Sequence, residues 1–353
     1  MNYAPWKARL RANTNDMLNP ELHLREDLFE ATAQAATRDG FGKGLVEAAD
    51  ADPRVIALSA DLTESTRTEE FKKKYPERFI EVGVAEQNMA SLGAGFAEAG
   101  KIPFITSYAA FNPGRNNEQI RTTISLNNVP VKVCGMHAGV SVGPDGATHQ
   151  ALEDIALMRV QPNMTVIVAC DAEEARKATI ASAKTDGPVY LRFGREKTPV
   201  MTTAETPFEI GKANVFYLSP STEGGLTSST VAIFATGALL HNALVAARDL
   251  EKEGIAATVI NVHTIKPLDR ETIIREAKNA GAVVTVEEHQ IAGGLGGAIA
   301  ELLASDFPLP IEFIGVHDRF GQSGEPKELI EHYGMGVSHI IEAVKKVISR
   351  KVV

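Results

Sequence analysis

Cysteine is nearly absent: Cys134 and Cys170 are the two in a chain of 353 residues. Two thiols cannot build a disulfide framework and fit no four-ligand zinc pattern. Both sit at the ends of apolar, strand-like runs, so they read as buried thiols of a protein kept in a reducing cytoplasm. No apolar run reaches the roughly 18 residues of a membrane-spanning helix. The first twenty residues lack the apolar core of a secretory signal. Basic charge is also short, with 36 Lys and Arg against 45 Asp and Glu, a net charge of −9. That balance argues against a nucleic-acid or polyanion binder and leaves room only for a local basic pocket. Glycine (29) and proline (17) are ordinary, which excludes collagen-like and disordered classes.

What is present is a regular alternation. Residues 1–25 are polar and irregular and read as an N-terminal arm. From residue 26 to 200, short apolar runs at 55–60, 79–82, 102–108, 129–136, 164–170 and 188–193 predict strands. Helical stretches at 44–51, 68–74, 85–99, 114–126, 151–159 and 172–184 lie between them. Near-continuous apolar strands alternating with helices imply a parallel sheet covered on both faces. The pattern stops at 201–229, rich in Thr, Ser and Gly, which reads as a linker with a short hairpin around 213–217. A second, smaller α/β alternation follows over 230–353. Strands are expected at 231–235, 257–262, 282–287 and 311–316, and helices at 240–253, 270–280, 296–304 and 337–348. Asp269 is placed to cap one of these helices.

Several groups of residues could carry chemistry. Glu86 opens a helical stretch whose Ala90, Gly93, Ala94 and Ala97 recur at three- and four-residue spacing. Such a face lets a neighbouring helix approach closely, and a first-turn carboxylate is favoured by the helix dipole. His137, Asp145 and His149 share a glycine-rich segment after a strand, the end of a parallel sheet where ligands collect. Together they can supply acid, base and hydrogen-bond donor. Their spacing is not the helical zinc pattern, and no metal-ligand set is read from the chain. Arg38, Ser65, Arg192 and Arg195 are dispersed but suit phosphate. Gly293, Gly294, Gly296 and Gly297 suggest a phosphate-cradling turn but lack its full fingerprint, and read better as a tight turn. Taken singly, each group also has a plain structural reading: a helix-start carboxylate, a surface loop, surface charges.

The order of segments is more specific. SADLTEST, EVGVAEQNM, PFITSYAAF, HAGVSVGPDGATHQALED and VYLRFGRE resemble the middle domain of transketolase. TIKPLDRETI and VTVEEHQIAGGLGGAIAELL resemble its C-terminal domain. The resemblance implies an α/β chain of two doubly wound domains, a pyrimidine-binding domain at 26–200 and a transketolase C-terminal domain at 230–353. It implies thiamine diphosphate as cofactor. The GDG motif that holds the diphosphate and its Mg2+ or Ca2+ in transketolases does not occur in this sequence. The resemblance therefore implies a split enzyme, in which a separate N-terminal subunit supplies that half and an α2β2 heterotetramer forms. The implied reaction is ketol transfer between sugar phosphates, such as xylulose 5-phosphate and ribose 5-phosphate.

By the same resemblance, Glu86 is a buried carboxyl that meets the pyrimidine ring, and Tyr108 and Phe111 flank that ring. Asp61 and Leu62 lie near the thiazolium and the subunit contact. His149 and His137 contact the reacting part of the substrate, and Asp145 reads a donor hydroxyl. Arg38, Ser65, His137 and Arg195 form the sugar-phosphate pocket. Gly114 stands where some relatives carry a third aromatic, and Arg192 replaces a position neutral in many relatives. Three alternatives share the fold: a 2-oxo acid dehydrogenase beta subunit, which lacks the DGxTHQ loop; a deoxyxylulose-phosphate-synthase-like enzyme; and a catalytically silent regulatory subunit.

Overall fold

The structure, a computed structural model, describes residues 17–218 and 230–351. Most of the expected arm (1–16) and part of the expected linker (219–229) lie outside the described residues. The first half builds a sheet from β1 (Val55–Ser59), β2 (Phe79–Glu81), β3 (Ile102–Tyr108), β4 (Lys132–Met136), β5 (Thr165–Val168) and β6 (Val189–Arg192). Their order is β5-β6-β4-β3-β1-β2, all parallel. The second half builds a sheet from β7 (Asn214–Tyr217), β8 (Thr230–Ala235), β9 (Ala256–Asn261), β10 (Val283–Gln290) and β11 (Ile311–Val316), in the order β11-β10-β8-β9-β7. Only β7 runs antiparallel, so the strand expected within a hairpin instead edges the second sheet beside β9.

Alternation within the strands shows why both sheets are covered twice. In β1, Val55 and Ala57 join one core cluster while Ile56 and Leu58 join another. The first cluster includes Phe41 and Leu45 of helix α1 (Thr37–Ala51). The second holds Met89 and Ala94 of α2 (Glu86–Glu98) and Ala175 belongs to α3 (Ala172–Ser182) on the opposite face. In β8, Val231 and Ile233 face α4 (Leu240–Lys252) and the C-terminal helix, whereas Ala232 and Phe234 join the cluster that already contains Ile56 and Leu58. The middle apolar layer is thus shared by the two halves. A short strand that the pattern did not predict, Thr264–Lys266, reinforces this by pairing antiparallel with β5. Leu22 and Leu28, in the stretch before α1, are buried in the core of the second half.

Local sequence explains the close contacts. Asp171 caps α3, and Asp269 caps α5 (Arg270–Ala280) through Thr272 N–H, as its position suggested. A Cβ on Gly40 would stand 1.8 Å from the Ala172 carbonyl oxygen, so α1 meets α3 at backbone distance. A Cβ on Gly93 would stand 2.9 Å from Ile105, so α2 lies close on β3 there, and Ala90, Ala94 and Ala97 share a core cluster with Ile120 and Ile124. The helix expected over 114–126 is a short turn, Asn117–Gln119, continued by a π-helical stretch, Ile120–Ser125.

Candidate functional site

Strand β1 connects towards β2 on one side, and β3 connects towards β4 on the other. The loops at their carboxyl ends therefore diverge and leave a crevice, the position where open parallel sheets bind ligands. Three segments border it: 60–67 after β1, 109–116 after β3 and 137–151 after β4. Asp61 and His137 each follow closely on a strand end with φ of 58° and 52°, left-handed values that cost a non-glycine residue free energy and cluster at functional sites.

The first loop is pinned by Glu81 at the end of β2. Its carboxylate accepts from Asp61 N–H at 2.7 Å, Thr63 Oγ1 at 2.9 Å and Gly83 N–H at 3.1 Å. This turns the Ser65 carbonyl towards Arg38, near the start of α1, whose Nη1 donates to it at 3.0 Å. The same Nη1 stands 2.9 Å from His137 Nε2. Because a guanidinium only donates, Nε2 must accept, which assigns the ring proton to Nδ1. Burial pushes the His137 ring down to about 3, helped by the charges of Arg38 and Arg195, so the imidazole is neutral near pH 7. Both His137 Nδ1 and Arg38 Nε are buried without a partner. Two orphaned donors beside one cleft await an acceptor.

Aromatic rings form the next wall. Tyr108 stacks on His137 with centroids 4.1 Å apart and on Phe111 at 6.1 Å. His149 meets Phe111 edge-on at 5.4 Å and Tyr108 at 6.0 Å. Asn112 holds this loop down by donating to the carbonyls of Ile105 and Cys134, at 3.0 and 3.1 Å. Its own Oδ1 accepts from Asn116, which also donates to the Glu86 carbonyl at 3.1 Å. Glu86 is the first residue of α2, and its carboxylate is 2% exposed. It accepts from Arg115 Nη1 at 2.7 Å, and the Arg115 guanidinium lies 4.8 Å from the Phe111 ring centre.

The third loop is fixed by Gln150, whose buried amide donates to the carbonyls of Val140, Gly143 and Gln322. Within it, His149 Nδ1 lies 2.9 Å from Thr148 Oγ1, and Asp145 lies 3.5 Å from Arg195, which also donates to the Val142 carbonyl. The structure thus links Glu86, Phe111, Tyr108, His149, His137, Arg38 and Ser65 in one run of contacts through Arg115. Asp145 and Arg195 form a second pair whose cation acts on His137. Asp61 and Leu62 share the loop of Ser65, and their bonds run to Glu81 and Ser59 rather than to the aromatic wall.

Two sequence candidates fall elsewhere. Arg192 is buried, with Nε donating to Asp154 at 2.7 Å and Nη2 to the Glu288 carbonyl at 2.8 Å, so it joins the two halves instead of facing the cleft. The glycine-rich turn at 293–297 leads into helix α6 (Leu295–Asp306), whose free N–H groups would suit phosphate. The Glu287 carboxylate already takes the N–H groups of Leu295 and Gly296 at 2.7 and 2.8 Å, leaving a tight turn. Burial nonetheless raises the Glu287 carboxyl to about 7. Sequence reasoning missed Arg115, Asn112, Asn116, Glu81 and Gln150. For Asn112, Arg115 and Asn116 the one visible signal was a cluster of amides in FNPGRNNEQ beside the aromatics, whereas Glu81 and Gln150 sat unremarked inside EVGVAEQNM and HAGVSVGPDGATHQALED.

Comparison with known proteins adds the following. Residues 33–201 match the transketolase pyrimidine-binding domain, and residues 227–340 match the transketolase C-terminal domain. A Methanocaldococcus jannaschii protein named for the C-terminal section of transketolase is 41% identical over 316 residues, 88% of this chain and 96% of that one. A Clostridium sp. protein named as a 6-deoxy-6-sulfo-D-fructose transketolase subunit is 39% identical over 314 residues, 89% and 95% of the two chains. Among solved structures, one titled as a split-gene transketolase in an inactive beta4 tetramer superposes with a TM-score of 0.82. It shares 42% identity and covers 90% of this chain and 99% of its own.

Proposed function

The chain belongs to the transketolase family, and from that premise we propose that its pyrimidine-binding domain (26–200) and C-terminal domain (230–353) form one half of a thiamine diphosphate enzyme. The other half, a diphosphate- and Mg2+- or Ca2+-binding chain, completes the site in an α2β2 assembly. The assembled enzyme transfers a two-carbon ketol unit from a ketose phosphate to an aldose phosphate, with xylulose 5-phosphate and ribose 5-phosphate as the first pair to test. The relative named for a sulfonated sugar widens that list to other anionic ketoses.

The observation that supports this reading most is the pairing of a nearly buried carboxylate, Glu86, with stacked aromatics and, further out, two buried donors that lack acceptors. The residues fit the cofactor: a carboxyl to hold a proton at a ring nitrogen, flat walls for a flat ring, and cations for phosphate at the outer end. When bound, thiamine diphosphate supplies the electron sink for cleaving a bond next to a ketose carbonyl. Glu86 holds the hydrogen bond to the pyrimidine nitrogen, and its place at the start of α2 and within the core fixes its direction. Phe111 and Tyr108 exclude water from the ring. His137, neutral and with Nδ1–H free, donates to a substrate hydroxyl. His149, edge-on to both aromatics, carries acid–base proton transfer at the reacting oxygen. Asp145 accepts from a donor hydroxyl, and Arg38, Ser65 and Arg195 take the phosphate.

The test is reconstitution. This chain mixed with a GDG-bearing partner, thiamine diphosphate and Mg2+ should transfer ketol units between sugar phosphates, while the chain alone should not. Preference for pyruvate or a branched oxo acid, or no turnover with any ketose phosphate, would remove the reading.

A further inference from the structure

Arg115 makes two contacts that a ring entering this site would also need. Its guanidinium is planar, lies over the Phe111 ring with Cζ 4.8 Å from the centroid, and donates one N–H to Glu86 at 2.7 Å. A flat donor over an aromatic and hydrogen-bonded to a buried carboxylate reproduces the recognition assigned above to the pyrimidine. The two partners differ in burial. The Glu86 side chain is 2% exposed, whereas that of Arg115 is 45% exposed. The carboxylate is therefore enclosed by the fold, and the cation is the member open to solvent. The backbone beneath it is constrained: a Cβ on Gly114 would stand 2.1 Å from the Ala110 carbonyl oxygen, and Asn116 is tied to Asn112 and to the Glu86 carbonyl. Movement of Arg115 is thus a side-chain swing towards solvent and needs no loop rearrangement.

We propose that Arg115 is a placeholder for the cofactor ring: it neutralises Glu86 in the cofactor-free chain and must swing out before the pyrimidine can enter. The arrangement follows from the cost of a buried, unpaired carboxylate. It lets the chain fold and wait for its partner with the site closed by a removable cation. By linkage, whatever the ion pair contributes to the cofactor-free state is subtracted from cofactor affinity. The inference rests on the functional reading above, and the experiment separates the two.

Thiamine diphosphate with Mg2+ is titrated calorimetrically into the assembled complex carrying wild-type chain, Arg115→Met or Arg115→Lys. Methionine keeps an apolar stem over Phe111 and removes the donors, and lysine keeps the charge without the planar fork. Both variants should bind more tightly, Arg115→Met by roughly tenfold, corresponding to loss of a modest charge-assisted bond from the free state. Differential scanning calorimetry of the free chain supplies a second readout: Arg115→Met should lower the melting temperature, and should no longer do so in a Glu86→Gln background. Unchanged or weaker binding by both variants overturns the placeholder role, as does a melting temperature indifferent to the ion pair. If the wild-type complex binds thiamine diphosphate in a Glu86-dependent way and Arg115 proves irrelevant, only this inference falls. If the wild-type complex does not bind the cofactor, the functional reading falls with it.

Discussion

Replacing Asp154 with Asn tests how the two halves are held beneath the cleft. Asp154 and Arg192 are 1% and 7% exposed, and Nε meets Oδ2 at 2.7 Å. Tyr190 donates to the same oxygen at 2.6 Å, while Arg192 also reaches the Glu288 carbonyl on β10. Arg192 lowers the Asp154 carboxyl pKa against the opposing effect of burial. Removing one partner leaves a buried, uncompensated guanidinium, which costs about 3–5 kcal/mol. For a domain of this size that is a loss on the order of 10 °C in melting temperature. The exposed Arg54–Asp52 pair, whose arginine is 62% exposed, serves as the control, and Arg54→Ala should leave the melting curve nearly unchanged. Replacing both members, Asp154→Leu with Arg192→Met, should be milder than Asp154→Asn, because neither member of the ion pair is left without the other. Thermal and urea unfolding monitored by circular dichroism read all three. An Asp154→Asn chain as stable as the control would show that Arg192 is solvated and that the joint is not built as described.

Gly40→Ala should destabilise the chain by roughly 3 kcal/mol or prevent folding, since the added carbon meets backbone on α3 that has nowhere to move; an unaffected melting curve would refute the close crossing. His137 should show no imidazole titration by NMR between pH 5 and 8, because burial and the neighbouring arginines hold it to about 3. The sign follows: the unfolded ring takes up its proton near pH 6.5, so stability is full above that value and falls by up to about 1.4 kcal/mol per pH unit as pH drops towards 3. His263, buried and likewise held to about 3, acts in the same direction. A His137 midpoint near 6.5 would contradict the burial and the arginine charges assigned to this ring. Arg38→Met should raise KM for a phosphorylated ketose far more than it lowers kcat, and equal effects on both would place Arg38 nearer the reacting atoms.

Much of the layering was legible because buried parallel strands read as unbroken apolar runs. Val55 to Ser59 is buried at every position, and that run needs no partner information to be seen. The carboxylate and aromatics were legible through family likeness, which carried Glu86, Tyr108 and Phe111 as types in a fixed order. What stayed hidden depended on three-dimensional pairing. Arg192 looked like the other phosphate-type arginines until Asp154, 38 positions away, was found beneath it. The turn at 293–297 looked like an anion cradle until Glu287 was seen to fill it. The strand Thr264–Lys266 is too short for any periodicity to announce, and its pairing partner is about a hundred residues distant. Arg115 sat among the amides of FNPGRNNEQ with nothing to mark its partner, because that partner is chosen by the loop conformation that Asn112 and Asn116 impose.

The most direct measurement is a crystal structure of the assembled complex with thiamine diphosphate bound. The account predicts the Glu86 carboxyl within hydrogen-bond distance of a pyrimidine nitrogen, with the ring against Phe111 and Tyr108. A ring lodged elsewhere, with Glu86 still paired to Arg115, would contradict it.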